Sequence, residues 1–357
     1  MNVRIAFVGP LPPPVHGFSA ACEVMLNRCK ALATTEVFDR SRRQPGIRGW
    51  LSQLVKPLGY FRRGVGTHDT VLYLALSGGN GQLIDALYVL VARLLRHGIF
   101  IHHHSFAYID QPSRLNRILF GLLRGATHIV LSPGMGRSLQ KLYGLDAARV
   151  RVVSNAALFP SIGAAEAGAV VQGPLRIGFL SNITFEKGIV EFFEVVRLLE
   201  ARGVTYQARI AGPVAPAVKA EFDRLLAAAH HVEHLGPLYG EAKDQFFREL
   251  DVMLFPTRYI NEAEPLVIHE ALRAGVFTIA CDRGAIAEIL DNGAGLALPQ
   301  REFVETAARW LTQASQEPSG LGDTRRSCRE RALSIQNHAA VELEHLLQAM
   351  SSGRRTA

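Results

Sequence analysis

Short apolar runs alternate with amphipathic helical stretches along almost the whole chain, and they do so in two rounds. The strand-like runs of the first round are Arg4–Val8, Thr70–Leu74, Ile99–His103, His128–Leu131 and Val150–Val153. Helical spacing fills the gaps at Ser19–Ala33, Asn80–Arg96, Ser113–Arg124 and Met135–Tyr143. The second round has strands at Leu175–Leu180, Tyr206–Ala211, Val232–Leu235, Val252–Phe255 and Thr278–Cys281. Its helices are Ile189–Arg202, Ala217–His230, Lys243–Leu250 and Pro265–Ala274. Such alternation predicts parallel sheets covered on both faces by helices, an α/β chain. The 357 residues then divide into two doubly wound, Rossmann-like domains. The first spans 1–158 and takes back a C-terminal helix at about 336–357; a linker at 159–173 leads to the second, 174–335. That linker is rich in Ala and Gly. A soft stretch, Gln316–Asp323, precedes a last helix from about Arg325 to Met350, and Gly353–Ala357 read as a frayed tail. Two such sheets are expected to face a cleft, with ligand chemistry on the loops that follow their strands.

Charge is unevenly shared. Residues 1–170 hold 19 Lys and Arg against 8 Asp and Glu, a net of +11, and residues 171–357 hold 20 against 24, a net of −4. No RNA- or DNA-binding motif accompanies the excess, so nucleic acid is not an expected partner. Seven basic residues and no acidic one lie between Arg40 and Arg63. Arg42, Arg43, Arg48, Lys56, Arg62 and Arg63, interleaved with Trp50, suit a peripheral surface meeting anionic lipid. A solvated basic loop is the other reading, and Pro45, Pro57 and several glycines argue against one continuous helix. The longest apolar stretch, Leu83 to Ile101, carries Asp85, Arg93, Arg96 and His97, which argues against a membrane span. Ile5–Val8 is too short for a secretory signal. Cys22, Cys29, Cys281 and Cys328 are scattered and show no metal-ligand spacing, which suits a reducing compartment. The expected location is cytoplasmic, or peripheral on the inner face of a membrane.

Four post-strand loops carry unusual residues. The first, Gly9–Ser19, ends at Gly17 just before a helix, where free backbone N–H groups can meet an anion. It is no G-x-G-x-x-G fingerprint, so a dinucleotide oxidoreductase loses ground. The third strand ends in His102, His103 and His104; alternation puts His102 and His104 on one face and His103 on the other. Without a carboxylate or thiolate helper the pair makes a poor metal site, and one histidine touching substrate is the better reading. The loop Leu180–Gly188 carries Lys187, which can reach a phosphate as a point charge; a solvated lysine paired with Glu186 is an equal reading. Finally, Asp251–Gly275 places Pro265 as first helical residue and Gly275 as C-cap, so the N–H groups of Leu266 and Val267 point outward. Glu262 precedes this helix and Glu270 lies within it. Both carboxylates could accept hydrogen bonds from the hydroxyls of one ligand across the helix start, as suits a phosphate between two sugars. Acids that merely complement a helix dipole are the alternative, a better fit to Glu262 and Glu264 than to Glu270.

The segment around Glu262 and Glu270 resembles glycosyltransferase family 4, retaining enzymes of the GT-B fold, whose signature is two glutamates separated by seven residues at a helix start. Thr278–Ile289 resembles the family's strand, Gly loop and acidic helix, Gly178–Gly188 its phosphate loop, and Val150–Ala156 the end of its first domain. The resemblance implies that Glu270 holds the nucleotide ribose and that Glu262 meets a donor-sugar hydroxyl. It also implies that Lys187, with the backbone at Leu266 and Val267, holds the diphosphate, and that the loop Gly236–Tyr239, with Leu238, holds the base. Gly17 would approach the phosphates, and His104, or else His102, the transferred sugar. The implied catalytic set is therefore Glu262, Lys187 and His104. The activity implied is hexose transfer with retention from a UDP- or GDP-sugar to a glycan or lipid-linked hydroxyl acceptor, in surface polysaccharide or lipid-linked glycan synthesis, with neither cofactor nor metal. The family's phosphate-loop Arg falls on Asn182, which keeps hydrogen bonding and loses charge. Its Gly-Phe-Gly is Ala263-Glu264-Pro265, and Glu264 adds a negative charge near the diphosphate. A nucleotide-sugar epimerase of the same fold, or a binding module with weakened activity, are the rival readings.

Overall fold

A computed structural model describes residues 3–13, 15–41, 46–67, 69–161 and 173–352. The chain divides into two compact units, Met1–Pro160 with Asn337–Ala357, and Ser161–Gln336. In the first unit the elements run β1 Arg4–Gly9, α1 Gly17–Leu32, β2 Thr34–Asp39, α2 Gly46–Gly64, β3 Thr70–Leu76, α3 Gly81–Leu94, β4 Gly98–His103, α4 Ala107–Asp110, α5 Arg114–Leu123, β5 Thr127–Val130, α6 Pro133–Tyr143 and β6 Val150–Val152. The sheet order is β2-β1-β3-β4-β5-β6, parallel throughout. β3 is buried at every position, as a central parallel strand covered on both faces must be.

The second unit runs β7 Leu175–Leu180, α7 Ile189–Ala201, β8 Tyr206–Ala211, α8 Lys219–Ala228, β9 Val232–His234, α9 Gly240–Arg248, β10 Val252–Phe255, α10 Leu266–Ala274, β11 Phe277–Cys281, α11 Ile286–Leu290, β12 Gly295–Leu298, α12 Phe303–Gln316 and α13 Gly320–Ser351. Its sheet, also parallel, is ordered β12-β11-β10-β7-β8-β9. Strand order reverses beside β1 in the first sheet and beside β7 in the second. Those are the points where neighbouring connections diverge and leave room for a ligand. Asp251 ties the second unit together. It accepts from the backbone and guanidinium of Arg176 and from Arg325 at 2.6 Å, which joins β7, the start of β10 and α13.

Four expectations change. β2 and β12 were not expected; both are sheet edges and only partly buried, Thr34–Asp39 shows no continuous apolar run, and Gly295–Leu298 is apolar but only four residues long. α2 is one 19-residue helix with Pro57 inside it, against the expectation that prolines and glycines would break it. Buried contacts offset the hydrogen bond lost at Pro57. The Tyr60 hydroxyl meets His97 Nδ1 at 2.7 Å, Gln53 donates to the Ser41 carbonyl, and Lys56 donates to the Asp39 carbonyl. α13 starts at Gly320, so only Glu317–Ser319 separate it from α12; its last turns bury Ala339, Leu343, Leu346 and Met350. Pro265 is the N-cap residue of α10 and not its first helical residue, because its ψ of 122° is extended. Most of the expected linker, 162–172, and the tail Gly353–Ala357 lie outside the described residues.

Candidate functional site

In the second unit the loops after β7 and β10 flank the point where strand order reverses, and they are clamped to each other. Arg258 donates its backbone N–H to the Glu186 carbonyl at 2.6 Å and its guanidinium to the Phe185 carbonyl at 2.8 Å, and it pairs with Glu191 at 3.3 Å. Gly188 caps α7 at φ +82°, and a Cβ there would collide with the Pro256 carbonyl. The glycine therefore lets the two loops touch backbone to backbone.

That clamp fixes Lys187 and Glu262. The ammonium lies 2.5 Å from Glu262 Oε2, which also accepts from the hydroxyl of Thr257, itself fully buried, at 3.0 Å. Lys187 further lies 4.8 Å from the Tyr259 ring centroid and 5.6 Å from that of Phe255, a cation held over two aromatic faces. Pro265 offers no side-chain cap, so Leu266 and Val267 open α10 with N–H groups that have no intrahelical acceptor. One and a half turns on, Glu270 pairs with Lys243 of α9 at 2.5 Å. Burial raises the Glu270 carboxyl above its ordinary range, and the Lys243 charge only partly offsets this. Asn182 is exposed in the loop after β7, and Leu238 packs partly buried against the core beside exposed Tyr239. The structure thus brings Lys187 and Glu262 together before α10, whose first residues are Leu266 and Val267, while Glu270 lies midway along that helix and Asn182 on the loop after β7.

Glu264, two residues before α10, is buried, as is His269, whose Nε2 lies 3.1 Å from its carboxylate. The side chain thus turns inward onto a partner five residues on. Sequence reasoning also missed Thr257, Arg258 and Lys243. Thr257 and Arg258 lie within the segment it singled out, next to Glu262, whereas no spacing marked Lys243 on another helix.

In the first unit, His16 and not Ser19 caps α1. Ser19 N–H donates to His16 Nδ1 at 3.2 Å, and His16 N–H donates to Ser19 Oγ at 3.0 Å. Gly17 is the first helical residue, and a Cβ added there would meet nothing within 4 Å. The next residue, Phe18, has its ring 4.8 Å from that of His104, so Gly17 and His104 lie near each other. His102 and His104 share a face, ring centroids 4.0 Å apart, while His103 turns the other way onto Tyr108 and His128. His102 Nδ1 meets the Tyr73 hydroxyl at 2.5 Å. Neither His102 Nε2 nor His104 Nε2 has a hydrogen-bond partner among the described residues. Burial pushes His104 down to about 3, so its imidazole stays neutral and can donate to or accept from a hydroxyl. Among the described residues no group of three or more His, Cys, Asp or Glu could hold a metal ion. Arg42 and Arg43 lie outside the described residues, and Arg48 and Trp50 fall in α2 with side chains outside the description. Lys56 is turned to the Asp39 carbonyl and Arg63 to Glu36, so neither is a free surface charge; Arg62 is exposed.

The family model described as glycosyl transferases group 1 matches residues 165–334. Sucrose-phosphate synthase from Thermosynechococcus elongatus superposes with a TM-score of 0.73 at 16% identity, over 99% of this chain and 100% of its own. HepE from Anabaena, solved in complex with UDP, gives 0.70 at 15%, over 98% and 100%. The lipopolysaccharide outer core galactosyltransferase WaaB gives 0.65 at 18%, over 96% and 100%. Comparison with curated proteins gives no significant match. Residues 165–334 are thus similar to the group 1 glycosyl transferases, and the solved structures show the fold of the chain: GT-B, built from two Rossmann-like units.

Proposed function

We propose that the chain transfers a hexose from a nucleoside-diphosphate sugar, UDP- or GDP-linked, to a hydroxyl of a glycan or lipid-linked acceptor, with retention of anomeric configuration. The observation that carries this is the set of groups at the start of α10. Two uncapped N–H groups and Lys187 offer positive charge, and Glu262 and Glu270 offer acceptors for hydroxyls on either side. A diphosphate fits between the carboxylates, with Glu270 on the ribose and Glu262 on the sugar. HepE was solved with UDP and with UDP-glucose, which supports a uridine donor.

On this reading Lys187 leaves Glu262 for the diphosphate when the donor binds. As the bond from the anomeric carbon to phosphate oxygen breaks, the N–H groups and Lys187 take up the charge that develops on the leaving group. The acceptor hydroxyl attacks from the same face, its proton passes to the departing phosphate oxygen, and configuration is kept. Lys187 fills the charge-neutralising role, so no metal is required. In the first unit, neutral His104 offers an orphan Nε2 to a hydroxyl of the transferred sugar.

Calorimetry with UDP, GDP, ADP and their sugars tests the reading. A uridine or guanosine diphosphate sugar should bind, and Glu270→Ala should weaken it at least about tenfold, as expected when a charged hydrogen bond is lost. Unchanged binding in that variant sinks the assignment. Incubation with donor alone separates transferase from epimerase: slow hydrolysis supports the first, an epimerised sugar the second.

A further inference from the structure

The outward faces of α2, α3 and α5 take no part in the site described above. α3 exposes Leu83, Leu87, Leu90 and Leu94, at steps of four, three and four residues, so four leucines form one solvent-facing stripe about 16 Å long. Leu94 is 70% exposed. α2, packed beside α3, exposes Val55 and Leu58, and α5, on its other side, exposes Leu115 and Ile118. Around these lie Arg62, Arg93, Arg96, Arg114, Arg117 and Arg124, all exposed and none in an ion pair among the described residues. The three helices carry one acidic residue, Asp85, and it is fully buried against Arg40 at 3.0 Å. The face therefore combines apolar and cationic groups with no exposed carboxylate on its helices. Surface helices of soluble proteins ordinarily turn a polar face outward.

We propose that this face docks on an anionic lipid bilayer, with the α3 leucines entering the acyl boundary and the arginines reaching headgroup phosphates. Arginine stems extend along apolar surface while the guanidinium stays at the polar layer, which suits a leucine stripe rimmed by arginines. No described helix is long and apolar enough to cross a membrane, so the helices would lie on the surface. Charge argues against a second copy as occupant: two such faces would press unpaired arginines against arginines with no acid between them. The proposal relocates the membrane surface expected at Arg42–Arg63 to α3 and α5, and it stands on this surface alone, independent of the glycosyl-transfer reading.

The test is flotation of the full chain with vesicles of phosphatidylcholine alone and of phosphatidylcholine mixed with phosphatidylglycerol. Binding should require the anionic lipid and weaken with salt. The double variant Leu87→Glu, Leu90→Glu should lower partitioning about tenfold per leucine. The double variant Arg93→Gln, Arg96→Gln should lower it about fivefold per charge. All four positions are exposed, so melting temperature and nucleotide binding should match wild type, and that control separates this proposal from the reading of the active site. No binding to anionic vesicles at low salt, equal binding to both vesicle types, or binding unchanged in both variants overturns it. So does a concentration-dependent dimer in sedimentation that Leu87→Glu abolishes, because the stripe would then belong to a self-interface.

Discussion

The two units share a doubly wound architecture and differ in what their helices show to solvent. In the second unit, charges of both signs are paired across the surface. Lys219 meets Asp223 and Arg224 meets Glu221 on α8, Arg248 meets Glu241 on α9, and Arg202 of the turn after α7 meets Glu305 of α12. In the first unit, α2, α3 and α5 expose leucines and unpaired arginines instead. Exposed pairs contribute little to stability, so neither pattern is demanded by the fold. The difference concerns partners. Net charge also misleads about phosphate. On the proposed reading the acidic half holds the anion-binding helix start, because local N–H groups and Lys187 matter more there than distant carboxylates screened by solvent.

The sharpest way to break this contrast is to remove the cation. Lys187→Ala should lower turnover with a nucleotide sugar about 100- to 1000-fold, the range seen when one group stabilising a developing oxyanion is lost. Lys219→Gln, which loses only an exposed pair with Asp223, should leave turnover unchanged. Steady-state kinetics on the two variants decides whether the second unit handles the diphosphate by this one side chain.

Much of the contrast could be read before the structure. The switch-point loops were legible because each follows a mostly apolar strand and carries residues that strands and helices do not need: Gly17 in one unit, Lys187 and Glu262 in the other. β2 was not, because Thr34–Asp39 keeps no continuous apolar run, and β12 was not, because its apolar run is only four residues long and opens on a glycine. α2 was hidden by Pro57, whose local penalty is outweighed by Tyr60, Gln53 and Lys56, contacts that come from residues far along the chain. The direction of Glu264 was hidden for the same kind of reason: it depends on His269, and sequence spacing does not say which way a loop side chain turns.

Acid should separate the units. Burial lowers His104 to about 3 and His128 to about 4, and His102 and His103 fall well below their ordinary value. Each stays neutral in the folded first unit but takes a proton near 6.5 once unfolded. The unfolded state then binds more protons, so this stability is complete above about pH 6.5 and is lost as pH falls toward the folded values. The loss is about 1 kcal/mol per histidine between pH 6.5 and 5.5. In the second unit, burial would raise Asp251, but hydrogen bonds from Arg176 and Arg325 hold it below the ordinary range, so its stabilisation persists to lower pH. Trp310, stacked on Phe277 at 4.4 Å, reports on the second unit in a Trp50→Phe background. Its fluorescence should change at lower pH than the far-ultraviolet circular dichroism of the whole chain. Coincident acid transitions would refute the separation.

Gly17 and Gly188 occupy matching places, each beside the first helical turn after the first strand of its unit, yet they should respond oppositely to one added methyl. Gly188→Ala meets the Pro256 carbonyl and forces a left-handed backbone on alanine, which should destabilise the second unit by about 1–3 kcal/mol. Gly17→Ala meets no atom within 4 Å and has no positive φ to lose, so its denaturation midpoint should stay within about 0.5 kcal/mol of wild type. If the open space over Gly17 admits a ligand, turnover in Gly17→Ala should fall while stability stays. Unchanged turnover would make that glycine a bystander, and anion handling would then belong to the second unit alone.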